Sequence, residues 1–184
     1  MRVISGVSKG HKLLAPNGLE TRPTSDRIKE TLFNIISPDI YNINFLDLFA
    51  GSGAIGIEAL SRGANKAVFV DNSPKCIDII NYNLNHTKLY EKSEIYCCDV
   101  ISVMDMFKLN KQKFDIIFMD PPYNLDFYES VITNIKKSNI ISSDGYIILE
   151  SSSKVSIPII DGFKLLREKI FKTTTISFLA LVED

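Results

Sequence analysis

Residues 114–123 read FDIIFMDPPY, an apolar run that ends in Asp120, Pro121, Pro122 and Tyr123. Proline fixes φ and removes a backbone donor, so two in succession leave a stiff backbone that offers only acceptors. The amino nitrogen of a nucleobase is a poor nucleophile, because its lone pair is delocalised into the ring. Acceptors that grip its two hydrogens push it towards a tetrahedral, nucleophilic state. The Asp120 carboxylate and the Pro121 carbonyl are the natural acceptors, and Tyr123 offers a flat face for a base taken out of its stack. The chemistry implied is in-line attack of an amino group on an activated methyl, carried by positioning and electrostatics. The plain alternative is a Pro-Pro loop followed by a half-buried tyrosine with no chemical duty.

A second stretch, FLDLFAGSGAIG at residues 45–56, runs from an apolar strand into Gly51, Gly53 and Gly56 and then a helix. This is the G-x-G-x-x-G spacing with which backbone approaches a nucleotide closely, although a tight strand-to-helix turn in any α/β protein reads the same way. Asp71, at the end of the next strand, can accept hydrogen bonds from both hydroxyls of a ribose. Asp47 lies inside the first strand, just before the loop. A carboxylate there repels a dinucleotide pyrophosphate but orients a cation, and S-adenosylmethionine carries a sulfonium and an ammonium with no phosphate. That ligand is expected rather than a nicotinamide dinucleotide. The alternative for Asp47 is a strand-edge residue bonded to backbone amides. Asp99 ends the third strand, where it can receive an adenine amino group or cap a helix.

These residues need a scaffold that gathers strand ends. The strand candidates are 45–49, 67–71, 94–98, 114–119 and 146–150, all short, rich in Val, Ile and Phe and apolar on both faces, as in a buried parallel sheet. Helices are expected near 54–61, 74–85, 102–108 and 126–136, the second with Ser73 as N-cap and Pro74 at its first position. Two more strands near 163–171 and 173–181 can close as an antiparallel hairpin. Ahead of the alternation, 2–5 and 11–15 read as short strands around Gly6 and Gly10, with a turn at Pro16-Asn17-Gly18. A helix then starts near Thr24-Ser25-Asp26, its apolar face formed by Ile28, Leu32, Ile35 and Ile36, and Pro38 ends it. The expected fold is α/β and Rossmann-like. It has a seven-stranded, mostly parallel sheet with an antiparallel C-terminal strand, plus a small N-terminal hairpin and helix extension. Residues 1–23 are expected to form that RNA-contacting extension and 24–184 the catalytic domain.

The 184 residues carry 45% hydrophobic side chains and a net charge of −1, enough for a core and the wrong balance for coating nucleic acid indiscriminately. Residues 1–30 nevertheless hold six basic residues, Arg2, Lys9, Lys12, Arg22, Arg27 and Lys29, against three acids. That is a modest phosphate-contacting arm. A second basic run contains Lys164, Arg167, Lys169 and Lys172, and a solvated face is the alternative for either. Cys76, Cys97 and Cys98 form no C-x-x-C pair, and His11 and His86 stand far apart along the chain, so no metal site is expected. The N-terminus lacks the apolar core of a signal peptide, and no apolar run approaches the roughly 20 residues of a membrane span. A cytoplasmic monomer with reduced thiols is expected.

Asp47 to Gly56, Asp71, Asp99 and Asp120 to Tyr123 resemble, in order, the motifs of class I methyltransferases that act on amino groups. The N-terminal portion narrows this. Arg2 to Gly6, Lys9 to Leu13, Thr21-Arg22-Pro23-Thr24, Arg27 and Leu32-Phe33-Asn34 resemble the RsmD-like family, over nearly the whole chain. The resemblance implies methylation of N2 of a guanine in 16S ribosomal RNA, within a small ribosomal subunit or an assembly intermediate. It implies that Asp47, Gly51, Gly53, Asp71 and Asp99, with their neighbours Phe49, Ala50, Ser52, Asn72 and Val100, line the S-adenosylmethionine site. Asp120, Pro121, Pro122 and Tyr123 would hold the guanine, and Arg2, Lys9, Lys12, Arg22, Thr24 and Arg27 would meet the RNA. Two departures stand out: Asp71 where the family more often has Glu, and Lys172 where a Gly is expected between the last strands. The rival readings are an amino methyltransferase acting on adenine N6, cytosine N4 or a protein glutamine, and a nicotinamide-dependent oxidoreductase. A DNA enzyme is expected to need a target-reading domain for which 184 residues leave no room, and an oxidoreductase leaves Asp120 to Tyr123 without a role.

Overall fold

The computed structural model describes residues 1–16, 26–121, 125–155 and 160–182. Arg22, Thr24, Pro122 and Tyr123 lie outside them, as do Asn17 and Gly18 of the expected turn and Thr24 and Ser25 of the expected helix start. Helix α1 covers Asp26–Ile35. Strands and helices then alternate: β1 Asn44–Leu48, α2 Ala54–Ser61, β2 Lys66–Asp71, α3 Pro74–Thr87, β3 Ser93–Cys97, α4 Val100–Leu109, β4 Phe114–Met119, α5 Leu125–Ser138, β5 Ile141–Ser152, β6 Phe163–Ile170 and β7 Thr174–Leu181.

All seven strands join one sheet in the order β3-β2-β1-β4-β5-β7-β6. The first five run parallel, and β7 is antiparallel to both β5 and β6. The chain reverses between β1 and β4, so the ends of those two strands border the crevice where ligands settle in open α/β sheets. The apolar strands are sandwiched between two clusters. Phe45, Phe69, Ile116, Phe118 and Ile148 belong to one, with α1, α2 and α3. Leu46, Val68, Ile117, Met119 and Leu149 belong to the other, with α4 and α5.

Strand β5 is longer than its apolar stretch suggests. Phe114 pairs with Ile141, and the register then jumps so that Ile116 meets Tyr146. The polar residues Ser142, Ser143 and Asp144 are the extra length that this bulge absorbs. Lys172 has no left-handed backbone, and the β6–β7 turn closes with the Phe171 amide donating to the Thr174 carbonyl at 2.7 Å, so no glycine is needed there.

The N-terminal segment is less strand-like than its sequence. Val3 and Leu13 are buried in the core, but only Arg2 and Lys12 form a bridge. The reason is a competing acceptor. The amides of Ile4 and Ser5 donate to the Glu58 carboxylate at 2.8 and 3.0 Å instead of to a partner strand. Glu58 also receives Lys29 Nζ at 3.2 Å and Arg62 Nε at 2.8 Å, and Lys29 Nζ donates to the Arg2 carbonyl at 2.6 Å. Lys29 and Glu58 are both fully buried, and burial lowers the lysine pKa against the pull of Glu58. Removing one partner of such a pair strands the other charge. Glu58→Ala is therefore expected to destabilise the protein by about 3–5 kcal/mol in urea unfolding, with the N-terminal amides losing protection from hydrogen exchange.

Candidate active site

Side chains alternate across a strand, and that period decides what the sheet presents at its carboxyl end. Phe45 faces the cluster beneath α1–α3, so Asp47 does too. The same step carries Phe69 to Asp71, Phe118 to Asp120 and Ile148 to Glu150. Four carboxylates from four neighbouring strands are thus set on one face, around the glycine loop.

The loop is held by two of them. The Gly56 amide donates to Asp47 Oδ2 at 2.9 Å, and the Gly51 amide donates to Asp71 Oδ2 at 2.8 Å. Gly51 and Gly53 have φ of 57° and 73°, the left-handed region that costs a side-chain-bearing residue. A Cβ on Gly56 would collide with the Phe69 ring, so here the third glycine serves close packing of α2 on β2. Phe49 also adopts φ 63° without being glycine, its ring meeting Phe127 of α5 edge-on at 5.6 Å. Asp71 Oδ1 takes the Ser73 amide at 2.9 Å. A carboxylate offers about four acceptor positions, so Asp71 keeps capacity for ribose hydroxyls. Ser73 stands at the N-cap of α3 but makes no side-chain cap bond. Asp99 does cap: its Oδ1 accepts from Ile101 and Ser102 of α4 at 2.9 and 3.2 Å, and its Oδ2 keeps capacity to accept a further donor.

Asp47 is 1% exposed. Burial pushes its pKa up to about 8, the Gly56 amide opposes the shift, and the charge of Asp71 adds to it. Asp120 is raised as well, by burial first and then by the charges of Glu150 and Asp47 on either side. With no ion pair to Asp47 or Asp120 among the described residues, the acids at these strand ends suit a cationic ligand and oppose a pyrophosphate, so the residues present fit S-adenosylmethionine.

Several residues came together without a strong signal in the sequence. Asn83 of α3 is fully buried. Its Nδ2 donates to the Ser52 carbonyl at 2.9 Å and the Leu14 carbonyl at 3.0 Å, and its Oδ1 accepts from the Leu14 amide at 2.8 Å. It thereby ties the glycine loop to the N-terminal segment, and its place between Ile80 and Leu84 on the apolar face of α3 was the clue. Glu150, 5% exposed, sits at the end of the apolar run YIILE, where it reads as an exit to solvent. The two histidines meet, His11 and His86 rings lying 5.3 Å apart with Tyr82 stacked on His86, yet the described residues hold no three-residue group that could bind a metal. Of the expected RNA contacts, Arg2, Lys9, Lys12 and Arg27 are exposed.

The Asp47 shift has a consequence for stability. In the unfolded chain the acid ionises near 3.8 and in the folded protein near 8, so folding takes up a proton between those values. The stability this contributes is whole below the lower value and is lost as pH rises through the higher one. Asp47→Asn keeps an acceptor for Gly56 and removes the titration. In denaturant unfolding of the free protein, the variant is expected to outlast the parent at about pH 8.5 and to match it near pH 4.

The family model described as conserved hypothetical protein 95 matches residues 1–180. Ribosomal RNA small subunit methyltransferase D of Haemophilus influenzae is 35% identical, covering 92% of this chain and 88% of its own. The protein of that name from Escherichia coli K12 is 32% identical, covering 92% and 84%. The solved structure of yhhF from Escherichia coli superposes with a TM-score of 0.85 at 29% identity, covering 97% of this chain and 96% of that one. A model that spans almost the whole chain, with relatives aligned over most of their length, places the protein in the RsmD-like family of ribosomal RNA methyltransferases.

Proposed function

We propose that this protein transfers a methyl group from S-adenosylmethionine to the exocyclic N2 amino group of a guanine in 16S ribosomal RNA, acting in the cytoplasm on a small subunit or an assembly intermediate. The observation that carries this is the carboxylate row at the strand ends, with Asp120 set between Asp47 and Glu150 and beside the glycine loop. The names of the relatives supply the RNA.

When bound, S-adenosylmethionine supplies an electrophilic methyl on a sulfonium. The chain does the rest. Asp47 and the amides of the glycine loop orient the donor's amino-acid end, Asp71 holds its ribose, and Asp99 with Val100 receives its adenine. Asp120 and the Pro121 carbonyl accept the two hydrogens of the target amino group and expose its lone pair along the line of attack. The ionised Asp120 then has the basicity to take the proton that the nitrogen sheds, because burial first and its acidic neighbours second hold its pKa high. Tyr123 stacks on the base. Arg2, Lys9, Lys12, Arg22, Thr24 and Arg27 meet phosphates, a modest set suited to an RNA already folded in a ribosomal particle.

Nucleoside mass spectrometry of 16S RNA from a strain lacking the protein tests the reading directly: one N2-methylguanosine is expected to disappear and to return with the purified enzyme. Asp120→Ala should lower the transfer rate by at least about 100-fold while largely sparing donor affinity measured by calorimetry. A parallel fall in both would reassign Asp120 to donor binding. Asp71→Ala should act mainly on donor affinity, and an unchanged dissociation constant would remove it from the ribose site.

A further inference from the structure

Three rings meet on the outer side of α3. Tyr82 stacks on His86 with centroids 6.0 Å apart and planes 16° from parallel, and His11 of the N-terminal segment meets His86 edge-on at 5.3 Å. Side chains four residues apart on a helix touch in any case, which accounts for Tyr82 on His86. It does not account for the third ring, or for the way the junction is braced. His11 Nδ1 donates to the Ser8 carbonyl at 2.8 Å. Ser8 is itself buried, its amide donating to Ser61 Oγ at 3.0 Å and its hydroxyl to the Thr87 carbonyl at 2.9 Å. Asn83, the residue after Tyr82, holds both the amide and the carbonyl of Leu14. The rings are thus fixed from two segments, yet Tyr82 is 53% exposed. With His86 against one side, that exposure belongs to its other face and its edges.

The surroundings are basic. The bond from Ser8 to Thr87 makes neighbours of Lys9 and Lys88, each the next residue of its own segment, and both are exposed, as is Lys12 beside His11. Asp78, one turn before Tyr82, is exposed too, which leaves a positive balance. An aromatic face set among lysines suits a single-stranded nucleic acid, whose phosphates meet the cations and whose bases stack on the ring. Asn83 Nδ2 also reaches the Ser52 carbonyl at 2.9 Å, so the rings begin one residue from the brace of the glycine loop. RNA whose target base enters at the strand ends can therefore run along the N-terminal segment onto α3 without leaving the basic face. We infer that Tyr82, supported by His86 and His11, is a stacking platform for an unpaired base of the RNA substrate close to the methylated one. Unpaired RNA bases stack readily on tyrosine and histidine, and rings fixed beforehand lose little freedom when a base arrives.

This inference rests on the ribosomal RNA reading above, and two arms test it. In the first, kcat and KM for methyl transfer to small-subunit particles from the strain lacking the protein are compared for the parent, Tyr82→Ala and Tyr82→Phe. Tyr82→Ala is expected to raise KM by roughly 5- to 100-fold, the range for one base stacked on an aromatic ring, with kcat and donor affinity by calorimetry little changed. Tyr82→Phe keeps the ring face and should hold KM within about threefold of the parent. Tyr90→Ala, which removes a tyrosine 45% exposed beyond the end of α3, should leave KM unchanged. In the second arm, p-benzoylphenylalanine at position 82 is photoactivated on the particle, and the adduct is mapped by mass spectrometry and reverse transcription. A cross-link to 16S RNA near the methylated base is expected. This arm keeps a ring at the position, so it stands even if thermal unfolding shows Tyr82→Ala to be unstable. A KM unchanged in Tyr82→Ala, a Tyr82→Phe variant as impaired as the alanine, or a cross-link that falls on ribosomal protein rather than RNA overturns the platform while leaving the methyl-transfer reading intact. A parent that methylates no small-subunit RNA overturns both.

Discussion

Two backbone amides donated to two aspartates underlie everything the sheet presents. Gly56 is anchored to Asp47 and Gly51 to Asp71, so both ends of the glycine loop are fixed to strands that are themselves locked in the core. The loop cannot drift without stranding a buried carboxylate, and an unsatisfied charged acceptor costs more than an ordinary hydrogen bond returns. The acids that suit a cationic donor are therefore the same groups that hold the loop in shape. In the proposed reading, binding and scaffolding share atoms, and burial holds the Asp47 carboxyl well above the usual carboxylate range.

Much of the fold was legible because its signals are local and redundant. The strands β1, β2, β4 and β7 are apolar runs bounded by glycine or charged turns, and the helix starts follow from Pro74 and from the glycine loop. The candidate site was legible where motif and chemistry coincide, at Asp47, Gly51, Gly53, Asp71 and Asp120. What escaped depends on tertiary partners. Glu58 stands in AIGIEALS and looks like the solvent side of a helix, yet every residue of α2 is buried, and only the lysine and arginine brought from α1 and the helix end explain the charge. Glu150 escaped because a charge closing a hydrophobic strand reads as a boundary; strict alternation from Ile148, combined with its neighbour across β4, was needed to aim it. The histidines were separated by sequence distance and united by the packing of the N-terminal segment on α3.

The near-neutral charge of the chain and an RNA substrate are compatible once charge is located rather than summed. Asp47, Glu58 and Glu150 are buried and take no part in the outer surface. Arg2, Lys9, Lys12 and Arg27 are exposed on the N-terminal segment and α1, and β6 at the sheet edge shows Lys164, Arg167 and Lys169 to solvent. Lysines along an open edge also discourage pairing with a foreign strand, so these need no RNA to justify them. The N-terminal set differs in being bolted, through Lys29, Glu58 and Asn83, to the helices that flank the glycine loop.

The first residue sits in an instructive place. Ser52 Oγ, in the middle of the glycine loop, approaches the Met1 sulfur at 3.7 Å, and the Met1 carbonyl accepts the Leu13 amide at 3.1 Å. The Met1 thioether is thus a wall of the glycine loop, and its oxidation to a sulfoxide would set a polar oxygen against Ser52 where a soft sulfur now lies.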